Sequence, residues 1–439
     1  MMKTSNDLAI LGGERVRNRP YNPYIALDDA AISKANEVLQ SGLLSGFVAR
    51  GNANFMGGPE VRELEKVLSE IFQVKYAVTV NSATSGLHAA MIAADIGPGD
   101  EVIVPPITMS ATAASVMMCK ATPIFADVEP NTYCIDTESV SRLISQRTKA
   151  IIAVNIFGLP AELIPLRDLA DKNGLVLVED NAQGPGARYK GRLAGTVGHM
   201  GVLSFNHHKA MHSGEGGAIL TDDENFARRL QLARNHGEVV IDDWDQVYDY
   251  DTEIVGYNYR MTELQAALLV PQLRRMGELT EARVRLADKF SRKLAAYPFL
   301  APVTVREECT HAYYLYPMRY SAELLGISRE TFVAAMAAEG VHIAPYVKPI
   351  HHLPIFHTHR SANHPRFSRL FPGRTIDLFT PLEPCPVAVE LSYDRLLVTN
   401  ICRPPHTMVE LEEFTRALDK VSSNVDALKK WPATVCNRS

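Results

Sequence analysis

Short apolar runs punctuate the first two-thirds of the chain. YAVTVN (76–81), TPIFADV (122–128), AIIAVNIFG (150–158), LVLVED (175–180), GVLSFN (201–206) and GAILTD (217–222) are rich in β-branched and aromatic residues and predict strands. GPGDEVIVPP reads as a turn followed by one more short strand. Between these runs the pattern turns helical, in LHAAMIAA (87–94) and in residues 164–173. Before them, residues 28–40 predict a helix ending at Ser41-Gly42, and Gly57-Gly58-Pro59 opens a second that runs to Phe72. Most of the strand runs are continuously apolar rather than alternating. Strands of that kind are covered on both faces, so strands separated by helices predict a mostly parallel sheet. Residues 262–296 predict one long helical region, after which the pattern loosens into a smaller α+β part. The expected organisation is an N-terminal arm and helix (1–55), a large α/β domain (56–280) and a small C-terminal α+β domain (281–439).

Composition narrows the class. A chain of 439 residues suits two cores rather than one, and 46% hydrophobic with 22% charged residues is an ordinary globular balance. A net charge of -5 gives no electrostatic footprint for nucleic acid and no basic face for a membrane. The cysteines at 119, 134, 309, 385, 402 and 436 form no CxxC pair, which fits a reduced, cytoplasmic setting. The first residues contain no long apolar stretch of the signal-peptide kind, and no apolar run reaches membrane-spanning length.

Three strand ends carry candidate chemistry, and open α/β sheets bind ligands at the carboxyl ends of their strands. Asn81-Ser82-Ala83-Thr84 sits between a strand and a helix. Its free N–H groups suit an anion, although Ser82 or Thr84 as an ordinary helix cap is the commoner explanation of such a stretch. Glu179-Asp180-Asn181-Ala182-Gln183 closes an apolar strand with two acids. A carboxylate there is costly to bury unpaired, so it either holds a proton on a bound ring or caps the following turn. A nicotinamide cofactor would need GxGxxG, which GPGAR (184–188) does not supply. The third end is SFNHHKAMHSGEGG (204–217), a polar, glycine-containing loop with one lysine and three histidines. Lys209 is either a surface lysine or, with a lowered pKa, a Schiff-base lysine. A metal site is the rival reading of the histidines. His208 and His212 are spaced i, i+4, but HHKAMH lacks the intervening Glu of a zinc helix, and HHLPIFHTH (351–359) has no regular ligand spacing. No metal is expected.

A phosphate cradle, a strand-end acid and a loop lysine are together the anchors that pyridoxal phosphate needs. At this point the chain resembles the DegT/StrS-type sugar aminotransferases. The motifs that carry the resemblance are NSATSGLHAA (81–90), ATPIFADVEPNTYCID (121–136), VEDNAQGPGARYKGR (178–192), LSFNHHKAMHSGEGGAILT (203–221) and GYNYRMTELQAA (256–267). The likeness runs from GGERVR near residue 12 to RPPHTM near residue 403. It implies the fold-type I, aspartate aminotransferase-like α/β fold and pyridoxal 5'-phosphate as cofactor. It also implies a homodimer with shared active sites and transfer of nitrogen from glutamate or glutamine to a keto-sugar nucleotide or keto-cyclitol. Residue by residue, Lys209 would bind the cofactor aldehyde and shuttle the proton, and Asp180 would pair with the pyridine nitrogen. Gln183 would face the phenolic oxygen. Ala83, Thr84 and Ser204 would hold the phosphate, joined by Asn258 from the neighbouring subunit.

Two places depart from the family pattern. Met109 stands in PPITMSATA where an aromatic residue usually stacks on the cofactor ring. YVKPIH (346–351) carries one residue more than the family's substrate loop, so substrate contacts by Tyr346 and His351 have the least support. A dehydrating subset of the family has histidine at the lysine position. Five residues on from Ser204 this chain has Lys209, not His208, which favours transamination over dehydration and over a sensory protein that merely keeps the fold.

Overall fold

The computed structural model describes residues 7–48, 53–237, 254–356 and 385–431. Its centre is a seven-stranded sheet. In chain order the strands are β1 (Tyr76–Val80), β2 (Glu101–Val104), β3 (Thr122–Phe125), β4 (Thr148–Val154), β5 (Val176–Asp180), β6 (Met200–Ser204) and β7 (Gly217–Thr221). Their spatial order is β1-β7-β6-β5-β4-β2-β3. β7 runs antiparallel to both its neighbours, and every other pairing is parallel. The strands are buried almost throughout, as expected of a sheet with helices on both faces. This is the mostly parallel α/β sheet the sequence predicts.

The flanking helices that matter for the site are α1 (Asp29–Ser41), α2 (Pro59–Phe72), α3 (Ala83–Ala93) and α4 (Ala111–Met118). Asp28 caps α1 by accepting from Ala31 N–H, and Gly42 closes it in the left-handed conformation. Pro59 occupies the first turn of α2, where its missing N–H costs nothing.

The long helical region is broken. It consists of α5 (Glu263–Arg274) and α6 (Met276–Leu294), which meet at Arg275, where φ and ψ are -99° and 6°. Pro271 lies inside α5, which continues past it to Arg274. Along α6 the packing changes partner. Met276 and Leu279 belong to the core beneath α2, whereas Ala287, Phe290 and Leu294 belong to a second core. That second core covers a four-stranded antiparallel sheet in the order β8 (Leu300–Pro302), β9 (Tyr316–Tyr320), β11 (Leu396–Thr399), β10 (Ala344–Pro345). Leu8 is buried in it, and Arg17 pairs with Glu413 on the last long helix, α7 (Met408–Ser423). The N-terminal arm is thus fastened to the C-terminal part. Among the described residues no helix is long and apolar enough to cross a membrane.

Candidate active site

The parallel arrangement brings the carboxyl ends of β1, β5 and β6 to one edge of the sheet, and with them Ser82, Asp180 and Ser204. Asp180 is buried, only 5% exposed. Thr112 Oγ1 donates to its Oδ2 at 2.8 Å, and the Ala182 N–H donates to Oδ1 at 3.2 Å. Thr108 Oγ1 lies 3.1 Å from Thr112 Oγ1 one turn before it. Loss of water outweighs these hydrogen bonds and raises the carboxyl above its ordinary value, while the Lys209 charge works in the opposite direction.

The residue before it is equally buried and differently employed. Glu179 accepts from the N–H groups of Gly195, Val197 and Gly198 at 2.6, 2.7 and 2.7 Å and from Asn155 Nδ2 at 3.0 Å. Four donors satisfy both its oxygens, so it fixes the loop behind the strand end. Of the two acids closing β5, Asp180 is the one left open to a ligand.

Lys209 lies in the connection between β6 and β7. Phe205 N–H donates to Gly216 O and His207 N–H to Gly214 O, each at 2.8 Å, so the connection begins as a hairpin. Gly214 and Gly216 take φ of 85° and 153°, a region unfavourable to other residues. The Lys209 Nζ sits 4.4 Å from the ring centre of Tyr314. Burial pushes its ammonium down to about 8, and Asp180 partly restores it. His207 and His208 are exposed and lie ring to ring at 3.6 Å.

Ser82 caps α3 by accepting from Ser85 N–H at 3.1 Å, the bland role weighed for this stretch. Capping uses the third N–H of the helix and leaves those of Ala83 and Thr84 at positions with no intrahelical acceptor. Both readings therefore hold together. The first residue of β7 must be glycine here, because a Cβ on Gly217 would stand 2.7 Å from Ala83 N. Ser204, at the end of β6, is buried beside this corner.

Gln183 is held from two sides. Phe157 N–H donates to its Oε1 at 2.7 Å, and its Nε2 donates to the Tyr346 hydroxyl at 3.1 Å. Tyr346 also packs edge-on against Phe157 with ring centres 4.7 Å apart. His351 is buried against Phe125 at 5.6 Å, in the packing under the sheet edge. His357 and His359 lie outside the described residues. Met109 is 54% exposed just before α4. Asn258 is exposed; its carbonyl accepts from Asn81 Nδ2 at 3.2 Å, and its Oδ1 from Arg260 Nε at 2.9 Å. The turn carrying it thus abuts the start of α3 in its own chain.

Sequence reading missed Thr112, Tyr314 and a pair of arginines, Arg283 and Arg403, that flank Tyr24 with guanidinium carbons 5.3 and 5.2 Å from its ring centre. The i, i+4 spacing of Thr108 and Thr112 was a usable signal. Nothing local marked the others.

The residues present fit pyridoxal phosphate. A buried carboxylate short of a cation suits a protonated ring nitrogen, a half-buried lysine of lowered pKa suits an aldehyde, and helix N–H groups suit a phosphate. The fold and site define an α/β enzyme that uses this cofactor. Residues 45–376 match the model of the DegT/DnrJ/EryC1/StrS aminotransferase family, and the chain belongs to that family. It is similar to a GDP-perosamine synthase of Caulobacter vibrioides, 36% identical over 303 residues that cover 68% of this chain and 78% of that protein. It is also 36% identical over 354 residues to an L-glutamine:2-deoxy-scyllo-inosose aminotransferase of Streptomyces paromomycinus, covering 79% and 82% of the two chains. Among solved structures, an aminotransferase from Psychrobacter cryohalolentis superposes with a TM-score of 0.79 at 30% identity, covering 93% of this chain and all of that one. The chain is a pyridoxal-phosphate-dependent aminotransferase.

Proposed function

We propose that the protein moves an amino group from glutamate or glutamine to a keto-sugar nucleotide or keto-cyclitol, as a cytoplasmic homodimer. The observation that carries the reading is a half-buried lysine in the loop after β6 and a buried aspartate at the end of the adjoining β5, in a family whose relatives include a perosamine synthase and a glutamine-dependent cyclitol aminotransferase. When bound, the cofactor supplies an electron sink for the carbon that gains or loses nitrogen. Lys209 Nζ holds the cofactor and then carries the proton between carbons, a role its lowered pKa favours at neutral pH. Asp180 keeps a proton on the ring nitrogen through a charged hydrogen bond. Gln183, pinned by Phe157 and Tyr346, orients the phenolic side. Ala83, Thr84 and Ser204 hold the phosphate, and Met109 covers a ring face. Supplying glutamine or glutamate alone should bleach the visible absorption of the lysine-bound cofactor, and a keto-cyclitol or keto-sugar nucleotide should restore it. Restoration by simple keto acids only would reject the acceptor class.

The surface around Asn258 supports the shared site. Val255 is 77% and Tyr257 37% exposed, flanking Asn258. Leu43 and Leu44 are exposed nearby, since Leu44 O accepts from Glu263 N–H at 3.0 Å just beyond that turn. Such a patch favours a second copy. If Asn258 serves the partner's phosphate, Lys209→Ala and Asn258→Asp chains combined in one heterodimer put both lesions in one site. Up to about half the wild-type activity per heterodimer should return, given independent sites. A purified heterodimer as inactive as its parents would place Asn258 on its own site.

A further inference from the structure

Residues 311–313, just ahead of β9, are pinned at every step. Ala312 N–H donates to Gly158 O at 2.8 Å, Tyr313 N–H donates to His311 Nδ1 at 2.8 Å, and Tyr313 O accepts from Arg283 Nη1 at 3.2 Å. The buried His311 ring lies flat on Tyr313, with ring centres 3.9 Å apart and planes at 2°. Gly158 has φ of 96°, and a Cβ on it would stand 3.2 Å from both Ala312 Cβ and Tyr313 N, so glycine is what lets the segment come this close. Tyr313 itself takes φ of 48°, a left-handed conformation that a bulky residue keeps only when its surroundings hold it there. The next residue is Tyr314, which lines the same cavity as Lys209, Gln183 and Arg283. A strained and fastened backbone thus delivers one ring to one amine, 4.4 Å from the ring centre to Nζ.

That amine has to bear a charge for part of the reaction. A lysine that takes a proton from carbon becomes an ammonium, and burial at this position disfavours the charged form. Asp180 acts on Nζ as a charge, without a hydrogen bond. A tyrosine face carries negative potential and attracts a cation lying within about 6 Å of its centre, more strongly where water is excluded. Burial also holds the Tyr314 phenol above its ordinary value, so the ring meets the lysine as a neutral face.

Resting on the aminotransferase reading, we propose that the face of Tyr314 receives the Lys209 ammonium while the lysine carries the proton between carbons. The donor C–H bond breaks as a bond from Nζ to that hydrogen forms, and the electron pair of the C–H bond passes into the cofactor. The ammonium lies on the ring. The new N–H bond then breaks as the same proton is set on the second carbon, and Nζ is again a neutral amine. Tyr314 neither gains nor loses a proton, so its face matters and its hydroxyl does not.

The test compares Tyr314→Leu, which removes the face, with Tyr314→Phe, which removes the hydroxyl alone. In Tyr314→Leu kcat should fall about tenfold, as for loss of a desolvated cation–π contact, with the donor KM nearly unchanged. The isotope effect with donor deuterated at the α-carbon should rise, because proton transfer becomes the slower step. Tyr314→Phe should recover most of the loss. A second readout needs no turnover. Removing the face withdraws support from the ammonium, so the pH at which apoenzyme begins to capture cofactor rapidly should move down. The fall should be about one pH unit in Tyr314→Leu, and Tyr314→Phe should stay close to wild type. Asp180 on β5, Arg283 on α6, His208 beside the lysine and Arg403 near Tyr314 are the charged and titratable groups around the pair, and all are kept in both variants. Should Tyr314→Leu fail to fold, pentafluorophenylalanine at position 314 decides in its place, since it keeps the ring and strips the negative potential from its face. A leucine variant with wild-type kcat and capture profile overturns the inference and leaves the aminotransferase reading intact. A phenylalanine variant as impaired as leucine also overturns it, by assigning the effect to the hydroxyl. Wild-type enzyme whose lysine no amino acid releases from the cofactor would overturn the reading and the inference together.

Discussion

Lys209→Ala should lose transamination by at least about 10⁴-fold, since one substitution removes both the covalent anchor and the proton carrier. The fold should survive. The Lys209 N–H donates to Asn206 O in a turn, and its side chain lies over Tyr314 instead of filling the core. Cofactor should still bind through the phosphate corner and Asp180, without the absorption that depends on attachment to lysine. The wild-type pH dependence is a second readout. Attachment needs the neutral amine. Burial brings the Lys209 pKa down to about 8, so capture of cofactor by apoenzyme should accelerate as pH rises through about 8 and level off above it. A variant that retains turnover, or a capture rate still climbing at pH 10, would contradict this role.

Asp180→Asn is expected to cost about 10³-fold in turnover, comparable to removing one preorganised charge-stabilising group from an active site. The amide keeps the size of the carboxylate and its bond to Thr112 but cannot hold the ring nitrogen protonated. Thr112→Val should cost less, about tenfold, because it removes one hydrogen bond to a carboxylate that remains charged in the holoenzyme. The ordering is the informative part. If Asp180 served only to cap the turn at Ala182, the two variants would differ little in turnover and mainly in thermal stability. Near-normal turnover of Asp180→Asn would remove it from the chemistry.

The fold was legible because its strands are short, apolar and covered on both faces, which leaves a strong local pattern. The ends of those strands were legible for the same reason, since a polar residue that closes a buried strand is conspicuous. Ser82, Asp180, Ser204 and Lys209 all follow such runs. What stayed hidden depends on pairings across the fold. Gln183 meets Tyr346 across 163 positions, and Thr112 meets Asp180 across 68. Arg283, Arg403 and Tyr24 come from a helix interior, a late loop and the N-terminal arm, and no local rhythm connects them. The break at Arg275 was hidden differently, because Pro271, the breaker the sequence offers there, lies inside α5 rather than at its end. His351, from the substrate-loop pattern, packs against Phe125 across more than two hundred positions, a contact no local pattern shows.

The central claim is that the loop lysine and the strand-end aspartate form the catalytic centre, and chemical trapping tests it most directly. Holoenzyme reduced with borohydride, digested and mapped by mass spectrometry should carry the pyridoxyl mass on the peptide containing Lys209. Addition of glutamine or glutamate before the reductant should abolish that label by releasing the lysine. Label on Lys190 or Lys172 instead, or label on Lys209 that no amino acid releases, would contradict the account.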